Sequence, residues 1–180
     1  MKFGGTSVQD AEAFSRVASI VAGESANAPV VVTSAMSKVT DALLAAFELA
    51  KKGAVEDAVL SLEPHLDRHS AVSRELTGEA LQELFDVELQ FARTELADLL
   101  MRVSRRSLPL AMLKDAIVSY GEQLSSRLLA FVLQASGLNA RHADSRRLIV
   151  TDDEYGSAAP IFDETNRIAA LELHPIVNAG

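Results

Sequence analysis

No cysteine occurs anywhere in the 180 residues. That excludes a disulfide framework, zinc–thiolate sites and thiol catalysis, while leaving the redox compartment open. Cations are in deficit, with 17 Lys and Arg against 25 Asp and Glu, giving a net charge of −8 and a pI near 5. Coating nucleic acid or an anionic membrane takes clustered Lys and Arg, so neither partner is expected and a small-molecule ligand suits the balance better. No apolar stretch approaches the ~20 residues that span a bilayer; the strongest, LLAFVLQASG, is interrupted at Gln134 and Gly137. The N-terminus lacks both the apolar core of a signal peptide and the Arg- and Ser-rich, acid-poor profile of a transit peptide, so a cytoplasmic location is expected. Repeats and low-complexity segments are also missing. What remains is an ordinary mixture, 48% hydrophobic and 23% charged, suited to one domain with a real core.

The order of elements follows from periodicity and breakers. A very short strand ends at Phe3, Gly4 and Gly5 turn, and AEAFSRVASIVAGE places Phe14, Val17, Ala18 and Val21 on one helical face before Gly23. PVVVTS is a run of β-branched residues without alternation, the pattern of a strand covered on both faces. Strand, helix and strand together predict a parallel sheet. A helix from Thr40 to Lys51 stops at Gly53, and Ala54 to Ser104 is nearly all helical, with Leu81, Leu84, Phe85, Leu89, Ala92, Leu96 and Leu99 on one packing stripe. Ser107-Leu108-Pro109 breaks the pattern, which resumes from Met112 to Gln134 and stops at Gly137. Residues 138–143 and 148–150 read as short strands, TDDEYGSAAP as a polar loop, Asp163 or Thr165 as the cap of a helix to Leu173, and Pro175-Ile176-Val177 as the start of a central strand.

Three stretches carry chemistry. In MKFGGTSV, a Gly-Gly turn between strand and helix serves either a tight backbone turn or an anion site, where unpaired N–H groups converge. Lys2 beside it would supply a compact positive charge for a polyphosphate. The order is not that of a Walker A loop, in which lysine follows the glycines. In TSAMSKVTDALL, four hydroxyls lie where open parallel sheets place their ligands, at the carboxyl end of a strand; Thr40 also fits as a helix cap. In VSYGEQLSS, Glu122 interrupts an apolar face, either to meet solvent or to meet a ligand's amino group in room left by Gly121 and Ser125. His65 and His69 share a helix face but lack a third ligand, so they read as surface residues and no metal site is expected.

KFGGTSV, SAMSKVT after its VVV strand, VSYGEQLSS and the TDDEYGSAAP loop, in that order, resemble the amino-terminal half of the catalytic domain of aspartate kinases, within the amino-acid kinase family. The resemblance covers nearly the whole chain. It implies an α/β fold, a three-layer α/β/α sandwich around a mostly parallel sheet, here truncated. Residues 1–180 would form the acceptor-binding part, with the nucleotide-binding half and the regulatory ACT domains absent. The implied reaction moves the γ-phosphoryl group of ATP, carried with Mg2+, to the side-chain carboxylate of L-aspartate, the committed step toward lysine, threonine and methionine. By the same resemblance Lys2 contacts the ATP phosphates and offsets transition-state charge, with Gly4, Gly5, Thr6 and Ser7 forming the loop beside it. Ser34, Thr40 and Glu122 bind aspartate, Glu122 through the substrate ammonium. A carboxylate acceptor with an ordinary pKa of roughly 3.9 is already nucleophilic at neutral pH, which accords with the absence of any Ser-His-Asp set. The full-length form would be a candidate homo-oligomer, and the chain alone is expected to be inactive. Another acceptor within the family, or a non-catalytic interaction fragment, is the alternative. The architecture expected is one cleft at the carboxyl edge of the sheet, lined by Lys2, Thr40 and Glu122, with the long helices packed away from it.

Overall fold

Residues 1–178 are described in a computed structural model. Strand β1 (Lys2–Phe3) leads through a one-turn 3-10 helix, Gly5–Val8, into α1 (Ala11–Gly23). Asp10 caps α1 by accepting the Ala13 N–H at 2.9 Å, and the helix buries the predicted Phe14, Val17, Ala18 and Val21. The chain returns as β2 (Val32–Thr33), parallel to β1 with Lys2 opposite Val32 and Phe3 opposite Thr33. Thus the strand-helix-strand unit is present.

The larger sheet is not. Among the described residues β1 and β2 form a two-stranded sheet, Thr151 and Pro160 make one isolated antiparallel bridge, and the regular elements are otherwise helical, so of the expected three-layer sandwich the structure shows a mostly helical body with a small parallel sheet. Val32 is 57% exposed, which corrects the expectation of a strand covered on both faces. Residues 138–143 and 148–150 are not strands either. Their backbone groups are satisfied by near turns and single contacts instead of a ladder: Leu148 and Ile149 N–H donate to the Ser145 carbonyl, Gln134 donates to the Ala140 carbonyl, and Val150 bonds the Thr165 hydroxyl through its N–H and the Ile161 N–H through its carbonyl. A strand needs a neighbour to satisfy its backbone, whereas a helix or a side-chain-supported loop does so locally. The same reason accounts for Pro175-Ile176-Val177, predicted as a strand but lying in α7 (Phe162–Asn178). Pro175 has no N–H for the Leu171 carbonyl, and Leu171 is exposed, so water can serve it.

The body consists of α2 (Val39–Lys51), α3 (Val55–Leu76), α4 (Glu79–Arg105), α5 (Leu110–Val118) and α6 (Tyr120–Ala135), packed with α1 around one apolar core. On α4 the buried positions are Phe85, Leu89, Ala92, Leu96, Leu100 and Val103, steps of three and four that keep one face inward. Leu84, placed on the predicted stripe, is 55% exposed, so the packing face is rotated from the expectation and extends one turn further. Arg93 on α4 pairs with Glu63 and Asp67 on α3, and Arg127 on α6 pairs with Glu88 on α4. Phe85 and Phe131 meet edge to face with centroids 6.0 Å apart. No helix among the described residues is long and apolar enough to cross a membrane.

His69 reverses its predicted surface position. It is fully buried, its Nδ1 donates to the His65 carbonyl 2.8 Å away, and its Nε2 has no partner. Burial lowers its pKa to about 4, opposed by the hydrogen bond to the His65 carbonyl and assisted by the charge of Arg68. The ring sits neutral in the core as an uncharged filler between α3 and its neighbours.

Candidate active site

The carboxyl ends of β1 and β2 lie side by side, since Ser34 N–H donates to the Phe3 carbonyl at 3.0 Å. Beyond β1, the Lys2 ammonium leans over the glycine turn: a Cβ on Gly4 would stand 3.8 Å from Lys2 Nζ. The turn differs from the expectation in two respects. Its glycines feed a single 3-10 turn, while the start of α1 is occupied by the Asp10 carboxylate, so the α1 N-terminus is not aimed at an anion here. Positive φ is not needed either, for Gly4 is extended at φ −82°. What Gly5 supplies is space, because a Cβ there would come within 2.9 Å of the Ala35 carbonyl oxygen. Thr6 is exposed and Ser7 half-buried, its N–H closing the turn on the Gly4 carbonyl at 2.9 Å.

The loop after β2 forms the second wall. Lys38, with a left-handed backbone at φ 68°, precedes α2 and gives no side-chain cap. Thr40 therefore lies inside the first turn of α2 and does not cap it, which removes the capping alternative. Thr40 and Ser34 are half-buried, and their hydroxyls make no hydrogen bond among the described residues. Thr33, by contrast, is buried with its hydroxyl 3.5 Å from that of Ser125.

Glu122, in the first turn of α6, forms the third wall. It is exposed, yet its Oε1 accepts the Ala35 N–H at 3.3 Å, and a carboxylate is favoured at a helix N-terminus. The space beside it is not a ligand cavity. A Cβ on Gly121 would stand 2.7 Å from the Ala35 Cβ, and Ser125 is engaged with Thr33, so those small residues admit the β2 loop against α6. The predicted residues thus converge on Ala35 from two sides, Gly5 from one and Glu122 from the other. Lys2, Thr6 and Glu122 among them are exposed; cavities of about 200 and 40 Å3 lie elsewhere, both lined in part by Arg127.

Sequence reasoning missed the backbone of Ala35 and Ser37, which joins these walls, and it missed Arg68. The side chain of Arg68 on α3 donates from Nη2 to the Ser37 carbonyl at 2.6 Å, so α3 reaches the site and is not packed wholly away from it.

Gly121 provides a direct check on this geometry. Gly121→Ala would gain about 1 kcal/mol of helix propensity, against an overlap with a Cβ fixed to the backbone, where overpacking costs about 1–3 kcal/mol. The expected net result is a loss of stability in urea unfolding, relieved when Ala35→Gly is added. A Gly121→Ala chain more stable than wild type would show that α6 and the β2 loop are not in contact.

An amino acid kinase family model matches residues 1–174. Lysine-sensitive aspartokinase 3 of Escherichia coli (strain K12) is 31% identical over 186 residues, covering 99% of this chain and 38% of the relative. Aspartokinase 1, chloroplastic, of Arabidopsis thaliana is 34% identical over 157 residues, covering 85% of this chain and 26% of the relative. The crystal structure of E. coli aspartokinase III in complex with aspartate and ADP superposes with a TM-score of 0.85 at 29% identity, again over 99% of this chain and 38% of that one. The chain thus spans less than two fifths of the length of these relatives. Its strand-helix-strand unit, its open wall of hydroxyls and carboxylate, and a match over nearly all its residues assign it to the amino acid kinase family.

Proposed function

We propose that the chain is the acceptor-binding part of an aspartate kinase. The observation that carries this reading is the meeting of Glu122 with the Ala35 N–H at 3.3 Å, in the loop that carries Ser34 and leads to Thr40 in α2, whose hydroxyls have no partner among the described residues, and beside the strand that carries Lys2. Glu122 engages Ala35 through Oε1, which leaves Oε2 for the ammonium group of L-aspartate. Ser34 and Thr40 offer donors to the substrate. A side-chain carboxylate oxygen of aspartate attacks the γ-phosphorus of ATP, the bond to the β-phosphate oxygen breaks, and ADP leaves with 4-phospho-L-aspartate formed. No proton has to be removed from the attacking group, so positioning and charge stabilisation supply the catalysis. Lys2 serves that purpose above the Gly4–Gly5–Thr6–Ser7 turn. No group of three or more His, Asp or Glu is gathered among the described residues, so Mg2+ would travel with the nucleotide's phosphates. The product would enter lysine, threonine and methionine biosynthesis.

The test is a chimera in which this chain replaces the matching 38% of the E. coli enzyme, assayed with ATP, magnesium, hydroxylamine and a panel of acceptors. Hydroxamate is expected with aspartate and not with glutamate or N-acetylglutamate; a folded chimera with the reverse preference would overturn the acceptor assignment. The 180-residue chain by itself is expected to show no turnover. Within the active chimera, Glu122→Ala is expected to raise the KM for aspartate about tenfold or more with a smaller change in kcat, because an ammonium partner binds ground and transition states alike. An unchanged KM would remove Glu122 from the acceptor pocket.

A further inference from the structure

Both loops of the candidate site are tied to one side chain that no part of the reaction uses. Arg68 donates to the Ser37 carbonyl at 2.6 Å, and the N–H of that same residue donates to the Gly5 carbonyl at 3.2 Å. Gly5 packs on the Ala35 carbonyl, and the Ala35 N–H is held by Glu122. A continuous path therefore runs from α3 through Ser37 to the glycine turn, with the Ser34 and Thr40 hydroxyls on either side of Ser37 in sequence.

The choice of arginine is not explained by stability. The ion pairs of α3 belong to Glu63 and Asp67, both with Arg93, and Arg68 has no carboxylate partner among the described residues. Its Nε is shielded from solvent and unpaired. A partly sequestered guanidinium without a counter-charge carries a desolvation cost that an apolar side chain would not. What arginine provides is a planar donor of fixed charge with enough reach to cross from α3 to a backbone carbonyl.

We propose that Arg68 is a positioning residue of the acceptor site: through the Ser37 carbonyl it fixes the loop between Ser34 and Thr40, and through Ser37 the distance of that loop from the Gly4–Gly5 turn, without touching substrate. The identity of the ligand rests on the aspartate kinase reading; the clamp itself does not.

The experiment uses the 180-residue chain as wild type, Arg68→Gln and Arg68→Lys, with amide exchange followed by NMR at Ser37 and, as a gauge of global opening, at Leu96 in α4. Losing a hydrogen bond from a charged donor corresponds to about tenfold in a local opening equilibrium. Ser37 exchange is therefore expected to accelerate about tenfold more than Leu96 exchange in Arg68→Gln, with partial recovery in Arg68→Lys. L-aspartate, titrated against the Ser37 and Glu122 amide shifts, is expected to bind Arg68→Gln several-fold more weakly than wild type. Exchange at Ser37 that is unchanged, or that rises only in step with Leu96, would overturn the proposal, as would wild-type aspartate affinity in Arg68→Gln. Absence of aspartate binding to the wild-type chain would count against the ligand assignment alone, and the comparison of Ser37 with Leu96 would still decide the clamp.

Discussion

Lys2→Ala, introduced into the chimera that supplies the rest of the enzyme, is expected to lower kcat by about 10²–10³-fold, the loss usual when one preorganised charge or donor is removed from a developing oxyanion. The KM for aspartate should change little. Lys2 is exposed, and its ammonium rests near the Gly4 position, so it supports neither the core nor the proposed acceptor wall of Ser34, Thr40 and Glu122. Its charge is needed most as negative charge builds on the bridging and equatorial phosphate oxygens, which places its contribution in the transition state and not in acceptor binding. The measurement is steady-state kinetics with aspartate varied at saturating ATP. A variant with wild-type kcat, or one whose only defect is a raised KM for aspartate, would remove Lys2 from the catalytic role. Urea unfolding of the same variant is expected to match wild type, because Lys2 forms no ion pair among the described residues.

Stability is expected to fall steeply between pH 6.5 and about pH 4, and His69 is the cause. Its imidazole is fully buried and its folded pKa is lowered to about 4, first by burial, against 6.5 in the unfolded chain. Between those values the unfolded state binds a proton that the folded state refuses, so stability is full above pH 6.5 and declines as pH falls toward 4. At about 1.4 kcal/mol per pH unit the window amounts to on the order of 3 kcal/mol, a large share of a domain's stability. His65 and His142 are shifted in the same direction, in both cases first by burial, and add to the slope. Asp144 behaves oppositely: its hydrogen bonds with Arg146 lower its pKa to about 2, so its contribution is lost only as pH falls from 3.8 through that value. Urea midpoints measured from pH 7 to pH 4 check the prediction. His69→Gln should flatten the slope in this window, and a wild-type midpoint constant from pH 7 to pH 4.5 would show that His69 is not held neutral in the folded chain.

The helices were legible because each carries its signals within a few residues. In α1, Asp10, the Phe14–Val17–Ala18–Val21 face and Gly23 are all local; α2 ends before Gly53 and α6 before Gly137, both at positive φ. The packing face of α4 was legible only in part. Leu84 and Leu100 are equally apolar, and only packing against the neighbouring helices decides that Leu100 is buried and Leu84 is not. The candidate site was legible as residue types: Lys2 and the hydroxyls of Ser34 and Thr40 beside short strands, and Glu122 on an otherwise apolar helix face. How they join was not, for the joining groups are the backbone atoms of Gly5, Ala35 and Ser37, which carry no side-chain signal.

By itself, the sequence determined the helical segments, the parallel pairing of the strands around α1 and the likeness to amino acid kinases, and it singled out the side chains proposed for an acceptor. Local periodicity, capping and breakers act over one or two turns of chain, and all of that information is present in a short window. Only the tertiary structure decided how far the sheet extends, that residues 175–177 lie in a helix, that His69 is an uncharged core residue, and that Gly5 and Gly121 are small to let the β2 loop approach from both sides. It alone showed Arg68 reaching across to Ser37. Each of these depends on which distant segment arrives as a neighbour. A strand, a buried imidazole and a glycine contact have no local source of satisfaction, so their outcome is set by packing between residues far apart in the chain.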